Sequence, residues 1–281
     1  MDYLTLNNGV KIPKLGFGVW EMFDEEECQE SIENALEVGY HLIDTASIYG
    51  NEVPVGLGIK ASNIKREDIF VTSKAWINQL GYKETKNAFE ESLQKLGLEY
   101  LDLYLIHQPF GDLYGAWRAM EELYKEGKVR AIGVSNFSTG HLTDFALHQE
   151  IVPVLNQIEL HPYKQQVLTQ KANEAFGIAT QAWSPFNRGK ENIFKDSILT
   201  SIARKYEKSV AQVILRWQVQ NDILTIPKSS HLKRMQENFD IFNFSLDEED
   251  LLLIKSLDRH PDTYGPDEDV DHVKGLIERI V

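Results

Sequence analysis

The chain has 281 residues, 42% hydrophobic and 26% charged, with a formal net charge of −14. Its length suits one large domain, its composition is that of an ordinary soluble globular protein, and its acidic balance excludes nucleic acid as a general partner. No apolar run is long enough to span a bilayer, Met1-Asp2-Tyr3 does not open a signal peptide, and the lone Cys28 excludes an internal disulfide, so a cytoplasmic protein without membrane association is expected.

Residues 3–6 and 10–13, split by Asn7-Asn8-Gly9, predict a β-hairpin whose turn residues tolerate positive φ. Short apolar runs then recur at Phe17–Trp20, His41–Ile43, Ile69–Ser73, Leu101–Ile106, Val129–Val134, Val154–Ile158, Ile178–Trp183 and Ile223–Ile226. Amphipathic stretches of helical period lie between most of them. Residues 84–97 place Ala88, Leu93 and Leu96 near one face and end on Gly97; residues 113–127 do the same with Trp117, Met120 and Leu123 and end on Gly127. Eight runs, most of them about 24–32 residues apart with helical returns, predict repeated βα units and a parallel sheet.

Such units close into a (β/α)8 TIM barrel or form an open doubly wound sheet. A dinucleotide-binding open sheet normally carries a Gly-x-Gly-x-x-Gly turn, but Gly16-Phe17-Gly18 is followed by Val-Trp-Glu, so the barrel is the expectation. No linker or composition shift divides residues 1–281, which are expected to form a single domain. The long gap 184–222 predicts a loop over 185–192 and two helical stretches, and the segment 260–281 predicts a tail across one barrel end.

In a barrel of this kind chemistry gathers where strands meet their following loops. Those positions hold Trp20, Asp44, Lys74, His107, Ser135-Asn136, Gln157 with Glu159, Trp183, and Lys228-Ser229. Singly, each has a plain structural explanation. Asp44 can cap, Lys74 can snorkel, His107 can be a hydrogen-bonded core histidine, and Trp20, Trp76 and Trp183 can be packing. Together with Tyr49, five residues beyond Asp44, they form a set that core packing does not explain. An acid, a phenol, an ammonium and an imidazole at one mouth suit proton donation by the phenol. Lys74 would lower its pKa and Asp44 would keep Lys74 charged. The other chemistries are less well supplied. No nucleophile elbow accompanies a serine, Asp44, His107 and His161 lack close metal-ligand spacing, and Asp44 with Glu159 is a bare carboxylate pair for glycoside hydrolysis.

A second signal is Ile226-Pro227-Lys228-Ser229-Ser230-His231-Leu232-Lys233-Arg234-Met235-Gln236-Glu237-Asn238. Ser229 or Ser230 can cap the following helix and present its free N–H groups to an anion, while Lys228, Lys233 and Arg234 concentrate positive charge in an acidic chain. A solvated basic helix face is the bland explanation; a phosphate site is the better one.

In these residues the chain closely resembles the aldo-keto reductase family. Gly39-Tyr40-His41-Leu42-Ile43-Asp44-Thr45-Ala46 with Tyr49, Glu52 and Gly56 looks like its first signature. Lys74 in Val-Thr-Ser-Lys, His107 in Leu-Ile-His-Gln-Pro, Gly133-Val134-Ser135-Asn136-Phe137 and Ile226-Pro227-Lys228-Ser229 match further landmarks in order, and the likeness spans about residues 3–256. The resemblance implies a barrel with an N-terminal hairpin plug and carbonyl reduction with NADPH, giving NADP+, without a Rossmann fold. It implies Asp44, Tyr49, Lys74 and His107 as a catalytic tetrad. Ser135, Asn136 and Gln157 would hold the nicotinamide carboxamide, and Trp183, followed by Ser184, would stack on the ring. Lys228, Ser229, Ser230 and Arg234 would bind the 2′-phosphate, with Glu237 and Asn238 on the adenine. His41 in place of an arginine, Gln108 where many members have Trp, and Trp183 in place of Tyr look like the bacterial-type branch related to 2,5-diketogluconate reductases.

The expected function is therefore reduction of small aldehydes and ketones by a monomer; a non-catalytic nucleotide-sensing barrel is the alternative. Trp20, Phe23, Tyr49, Trp76, His107 and the Trp183 loop are expected to form an aromatic mouth, with only a low wall from Gln108–Asp112. No arginine is obvious there, with Arg188 or Lys190 of the 184–192 loop as the alternative grip on an anion, and Asp267-Glu268-Asp269 would add negative charge nearby. Neutral activated carbonyls, such as methylglyoxal or aromatic aldehydes, are then favoured over keto acids.

Overall fold

The computed structural model describes residues 2–259 and 270–281. The chain opens with an antiparallel hairpin, β1 (Tyr3–Thr5) and β2 (Lys11–Pro13). Eight parallel strands follow: β3 (Phe17–Gly18), β4 (Leu42–Asp44), β5 (Phe70–Ala75), β6 (Leu103–Ile106), β7 (Ile132–Ser135), β8 (Leu155–Glu159), β9 (Ala179–Trp183) and β10 (Leu224–Thr225). Each hydrogen-bonds its neighbour in sequence order. The last meets the first, because Leu15 bridges Thr225 and the Gly16 N–H donates to the Thr225 carbonyl at 2.8 Å. The sheet is a (β/α)8 barrel, and the closing bridge removes the open-sheet alternative. All eight predicted runs carry a strand, shortened where the chain leaves the barrel.

Helices α1 (Glu25–Val38), α2 (Glu52–Ala61), α3 (Tyr82–Leu96), α4 (Leu113–Lys125), α5 (Thr139–Leu147) and α6 (Val167–Ala175) return the chain between successive strands. Two helices, α7 (Ser197–Lys205) and α8 (Val210–Gln220), fill the long gap before β10, and α9 (Leu232–Phe239), α10 (Glu248–Lys255) and α11 (Val270–Ile277) follow it. The two helices predicted in most detail end as their sequences require. Gly97 takes φ 65° after α3, and Gly127 takes φ 74° just past α4.

Alternation along the strands explains how one fold yields both a core and a site. Leu42, Phe70, Leu103, Leu105 and Leu155 point into the barrel and pack with Leu6 and Ile12 of the hairpin region. The hairpin thus plugs the N-terminal end, tied down by Asn7 Nδ2 donating to the Pro153 carbonyl at 3.0 Å. Two residues on from Leu42, Leu105 and Leu155, at the C-terminal end, come Asp44, His107 and Gln157. Outward residues such as Ile43, Val71, Tyr104, Ile132 and Val134 pack under the helices.

One glycine fixes the helix layer. A Cβ on Gly56 of α2 would lie 2.1 Å from the Leu96 carbonyl oxygen at the end of α3. Backbone cannot yield as a side chain can, so Gly56→Ala is expected to cost about 3 kcal/mol. Thermal unfolding followed by circular dichroism should show a Tm lower by roughly 6–12 °C.

Candidate active site

The tetrad residues converge at the C-terminal mouth. Lys74, fully buried on β5, donates from Nζ to Asp44 Oδ1 at 2.5 Å and to the Thr45 carbonyl at 2.8 Å. The second oxygen of Asp44 accepts from Gln157 Nε2 at 2.7 Å, and the same nitrogen donates to Gln181 Oε1 at 2.7 Å. Tyr49 stands on a single helical turn, Ser47–Tyr49, with its ring centroid 5.1 Å from Lys74 Nζ. Its ring meets Trp20 at 4.7 Å and His107 edge-on at 5.6 Å, and His107 meets Trp76 edge-on at 4.9 Å.

Burial governs the protonation states. It pushes the Tyr49 phenol well above its ordinary value; the Asp44 carboxylate acts the same way and the Arg188 guanidinium opposes them. The expectation of a lowered phenol pKa is therefore corrected: desolvation outweighs the Arg188 guanidinium, and the phenol is raised. Tyr49 rests as a phenol with its proton in place. Burial and the Lys74 charge together hold His107 well below the usual histidine range, so its imidazole is neutral. His107 Nδ1 is enclosed without a partner. An unpaired ring nitrogen is best left without a proton, which places the N–H on the other nitrogen.

The residues assigned to the carboxamide form a connected set. Asn136 Nδ2 donates to the His107 carbonyl at 3.0 Å and to Ser135 Oγ at 3.1 Å, and Ser135 Oγ donates to the Gln157 carbonyl at 2.9 Å. Trp183 Nε1 donates to Asn136 Oδ1 at 2.9 Å, which fixes the indole at the end of β9. Asn136 and Ser184 hold φ of 63° and 50°, left-handed values that non-glycine residues keep only where their surroundings impose them.

One cavity of about 1310 Å³ joins this constellation to the second signal. It runs from Asp44, Tyr49 and His107 past Trp183 and Ser184 to Lys228, Ser229, Ser230, Arg234, Glu237 and Asn238. The capping differs in detail from expectation. The N-cap of α9 is His231, and Ser229 Oγ accepts from the His231 N–H at 3.1 Å, so the serine closes the turn before the helix and not the helix itself. The consequence for an anion is unchanged: the first N–H groups of α9 are left without a side-chain cap.

Three expectations about the mouth are tested by the structure, and two of them are corrected. Phe23 is 74% exposed and lies outside the cavity lining; the left-handed turn at Glu21 (φ 64°) buries Met22 and swings Phe23 outward, with its ring against Trp20. The mouth is not free of arginine, because Arg188, Lys190, His272 and Arg279 all line it. Arg188 sits 5.9 Å over the Trp183 ring, carried there by a loop in which Asn187, Arg188, Glu191 and Asn192 all have positive φ. The tail does cross the mouth: Leu276 of α11 packs on Trp76 and Ile77, and Trp76 Nε1 donates to the Arg279 carbonyl at 2.9 Å. Asp267-Glu268-Asp269 lie outside the described residues.

Gln181 is absent from the residues predicted for the site, although the sequence carries its signal: it lies two residues before Trp183 and so shares its inward face. Glu159 is paired with Lys164 at 2.9 Å and is not a bare partner for Asp44. Among the described residues no group of three or more His, Cys, Asp or Glu is placed to hold a metal ion, and no helix is long and apolar enough to cross a membrane.

A profile of the aldo/keto reductase family matches residues 14–259. The chain belongs to the aldo/keto reductase family. Within the family it is 48% identical over 269 residues to glyoxal reductase of Bacillus subtilis, covering 95% of this chain and 96% of the relative. It is 41% identical over 269 residues to methylglyoxal reductase DkgA of Escherichia coli, with 95% and 96% of the two chains covered. These relatives place it in the bacterial branch. The structure of a Gox0644 mutant in complex with NADPH superposes with a TM-score of 0.89 at 39% identity, covering 96% of this chain and 98% of the other.

Proposed function

We propose that this aldo-keto reductase uses NADPH to reduce small aldehydes and ketones, including dicarbonyls and aromatic aldehydes, to alcohols. The observation that carries this reading is the continuity of one cavity from a protonated Tyr49 and a neutral His107 to the basic stretch at Lys228 and Arg234. The donor set suits the cofactor. The uncapped start of α9, Lys228 and Arg234 suit a phosphate, and Gln157, whose Nε2 is committed to Asp44 and Gln181, has its side-chain Oε1 available to a carboxamide.

Bound there, NADPH supplies the hydride. The chain supplies the rest. His107 donates its N–H to the carbonyl oxygen of the substrate and fixes its position, and Tyr49 gives that oxygen a proton. A phenol with a raised pKa still serves, because the alkoxide formed as hydride arrives is a far stronger base. Lys74 stabilises the phenolate left behind, and Asp44 with Gln157 holds Lys74 in place. Trp20, Trp76 and α11 exclude water. A sensor would need none of this proton-handling arrangement, in which Lys74, Asp44 and Gln157 are joined by hydrogen bonds.

The substrate class rests on the aromatic walls and on relatives named for glyoxal and methylglyoxal reduction. With Arg188 and Arg279 at the mouth, discrimination against carboxylates is no longer expected. A panel of glyoxal, methylglyoxal, an aromatic aldehyde and a keto acid, read by NADPH absorbance, tests the proposal. Turnover of the aldehydes supports it, and no turnover of any carbonyl overturns it.

Arg234→Ala is expected to weaken NADPH binding by about 2 kcal/mol, roughly 30-fold, and NADH binding far less. The guanidinium has a charge-assisted partner only in the 2′-phosphate. Fluorescence titration of both cofactors checks this, and equal losses would contradict it. Rising salt should shrink the preference of the wild type for NADPH.

A further inference from the structure

Behind the tetrad, on the outer face of the barrel wall, lies a buried carboxylate that the reaction above does not use. Glu52 is the first residue of α2 and is 2% exposed. Its Oε1 accepts from Ser73 Oγ at 2.6 Å, a length typical of a hydroxyl on an ionised carboxylate. Ser73 precedes Lys74 on β5 and pairs in register with Tyr104 on β6, so both side chains point outward beneath α2 and α3. Three further buried polar atoms in this region have no hydrogen-bond partner: Glu52 Oε2, Ser92 Oγ on α3, and the Tyr104 hydroxyl. Burial raises the Glu52 pKa above the ordinary carboxylate value; the Ser73 hydroxyl opposes it, and so does the Ser92 hydroxyl, which lies beyond hydrogen-bonding geometry. The hydroxyls, all able to donate, partly offset that burial, and on the alkaline side of neutrality the carboxyl carries its negative charge. Such a burial is costly unless a cation answers it.

The cation is one residue away along the strand. Glu52 and Asp44 both favour the charged form of Lys74 against its burial. The other ionisable groups facing this pair are known. Tyr49 and His107 share the mouth with Lys74. On α3, Lys95 stabilises the Glu52 charge and Glu91 opposes it, and Tyr104 faces Glu52 from β6.

We propose that Glu52 is a positioning residue for the reduction: from behind β5 it keeps the Lys74 ammonium charged, and so widens towards alkaline pH the range in which Tyr49 can act as acid. This rests on the tetrad chemistry proposed above. Lys74, lowered by burial, is the group of the mouth that loses its proton first as pH rises, because Tyr49 is raised. Removing a negative charge near Lys74 lowers its pKa further, so the alkaline limb of the rate profile must move to lower pH.

The test is the pH profile of kcat/KM for glyoxal reduction by the whole enzyme. Glu52→Gln should move the alkaline limb down by about half to one pH unit, less than a directly contacting charge would. Its kcat/KM near neutral pH should stay within a few-fold of wild type, and NADPH affinity by fluorescence titration should not change. Ser73→Ala, which keeps the charge and removes only its hydroxyl partner, should leave the limb where it is. Glu52→Asp should bring it back towards wild type. An unmoved limb in Glu52→Gln, with Tyr49-dependent turnover intact, overturns the role of Glu52 and leaves the proposed reaction standing. If Glu52→Gln does not fold, Glu52→Met, which removes the same charge without burying an amide, decides: a downward shift supports the proposal and an unmoved limb overturns it. Absence of carbonyl reduction in the wild type is a different result, and it overturns the proposed reaction itself.

Discussion

The Tyr49→Phe variant is expected to bind NADPH as the wild type does and to reduce carbonyls at least about 10³-fold more slowly. Positioned acids contribute roughly 10² to 10⁴ to a rate, and here no other group can take over. His107 is neutral and its available N–H is spent on orienting the substrate oxygen, while Lys74 is committed to Asp44 and the Thr45 carbonyl. The substituted phenyl ring would keep the contacts that Tyr49 makes with Trp20 and His107, so packing changes little. Single-turnover kinetics with glyoxal, set beside a fluorescence titration of NADPH, separate the two effects. Turnover within tenfold of wild type would remove Tyr49 from its role as acid.

Lys74→Met is expected to fail in two ways at once. The substitution leaves the Asp44 carboxylate buried with Gln157 Nε2 as its remaining side-chain donor, and breaking a buried pair from one side costs about 3–5 kcal/mol. It also removes the cation that stabilises the phenolate, so activity should fall by about 10²-fold or more even where the protein is folded. Adding Asp44→Leu separates the two losses. The double variant should recover stability to within about 2 kcal/mol of wild type, because apolar replacement of a whole buried pair is close to neutral, and should recover no activity. Urea unfolding of both variants checks the first statement and steady-state rates the second. A double variant less stable than Lys74→Met would contradict it.

The fold and the floor of the site were legible because both rest on a period of two. Leu42 and Asp44, Leu105 and His107, Leu155 and Gln157 are successive inward positions, apolar below and polar above, and that change of character along a strand is visible in the sequence. What the sequence left hidden depends on loop geometry. Nothing in Trp20-Glu21-Met22-Phe23 announces that Glu21 takes a left-handed φ and turns Phe23 out. Nothing in Asn187-Arg188-Gly189-Lys190 announces the run of positive φ values that carries Arg188 over Trp183. The protonation of Tyr49 is hidden for a related reason. A neighbouring cation can be guessed from strand order, but the depth of burial that outweighs it is a property of the assembled aromatic mouth.

The hairpin that fills the lower end of the barrel makes the molecule a blind well with one rim. Nothing passes through it, so reactants and products share a single doorway. Whichever ligand seats against the floor at Asp44 and Gln157 has to arrive first and depart last, and whatever lodges above it acts as a stopper. Turnover is then a matter of traffic as much as of chemistry: with the proposed cofactor seated below the carbonyl, the rate is expected to fall at high carbonyl concentration, as a fresh substrate molecule delays the exit of spent cofactor, and initial rates over a rising glyoxal series check this.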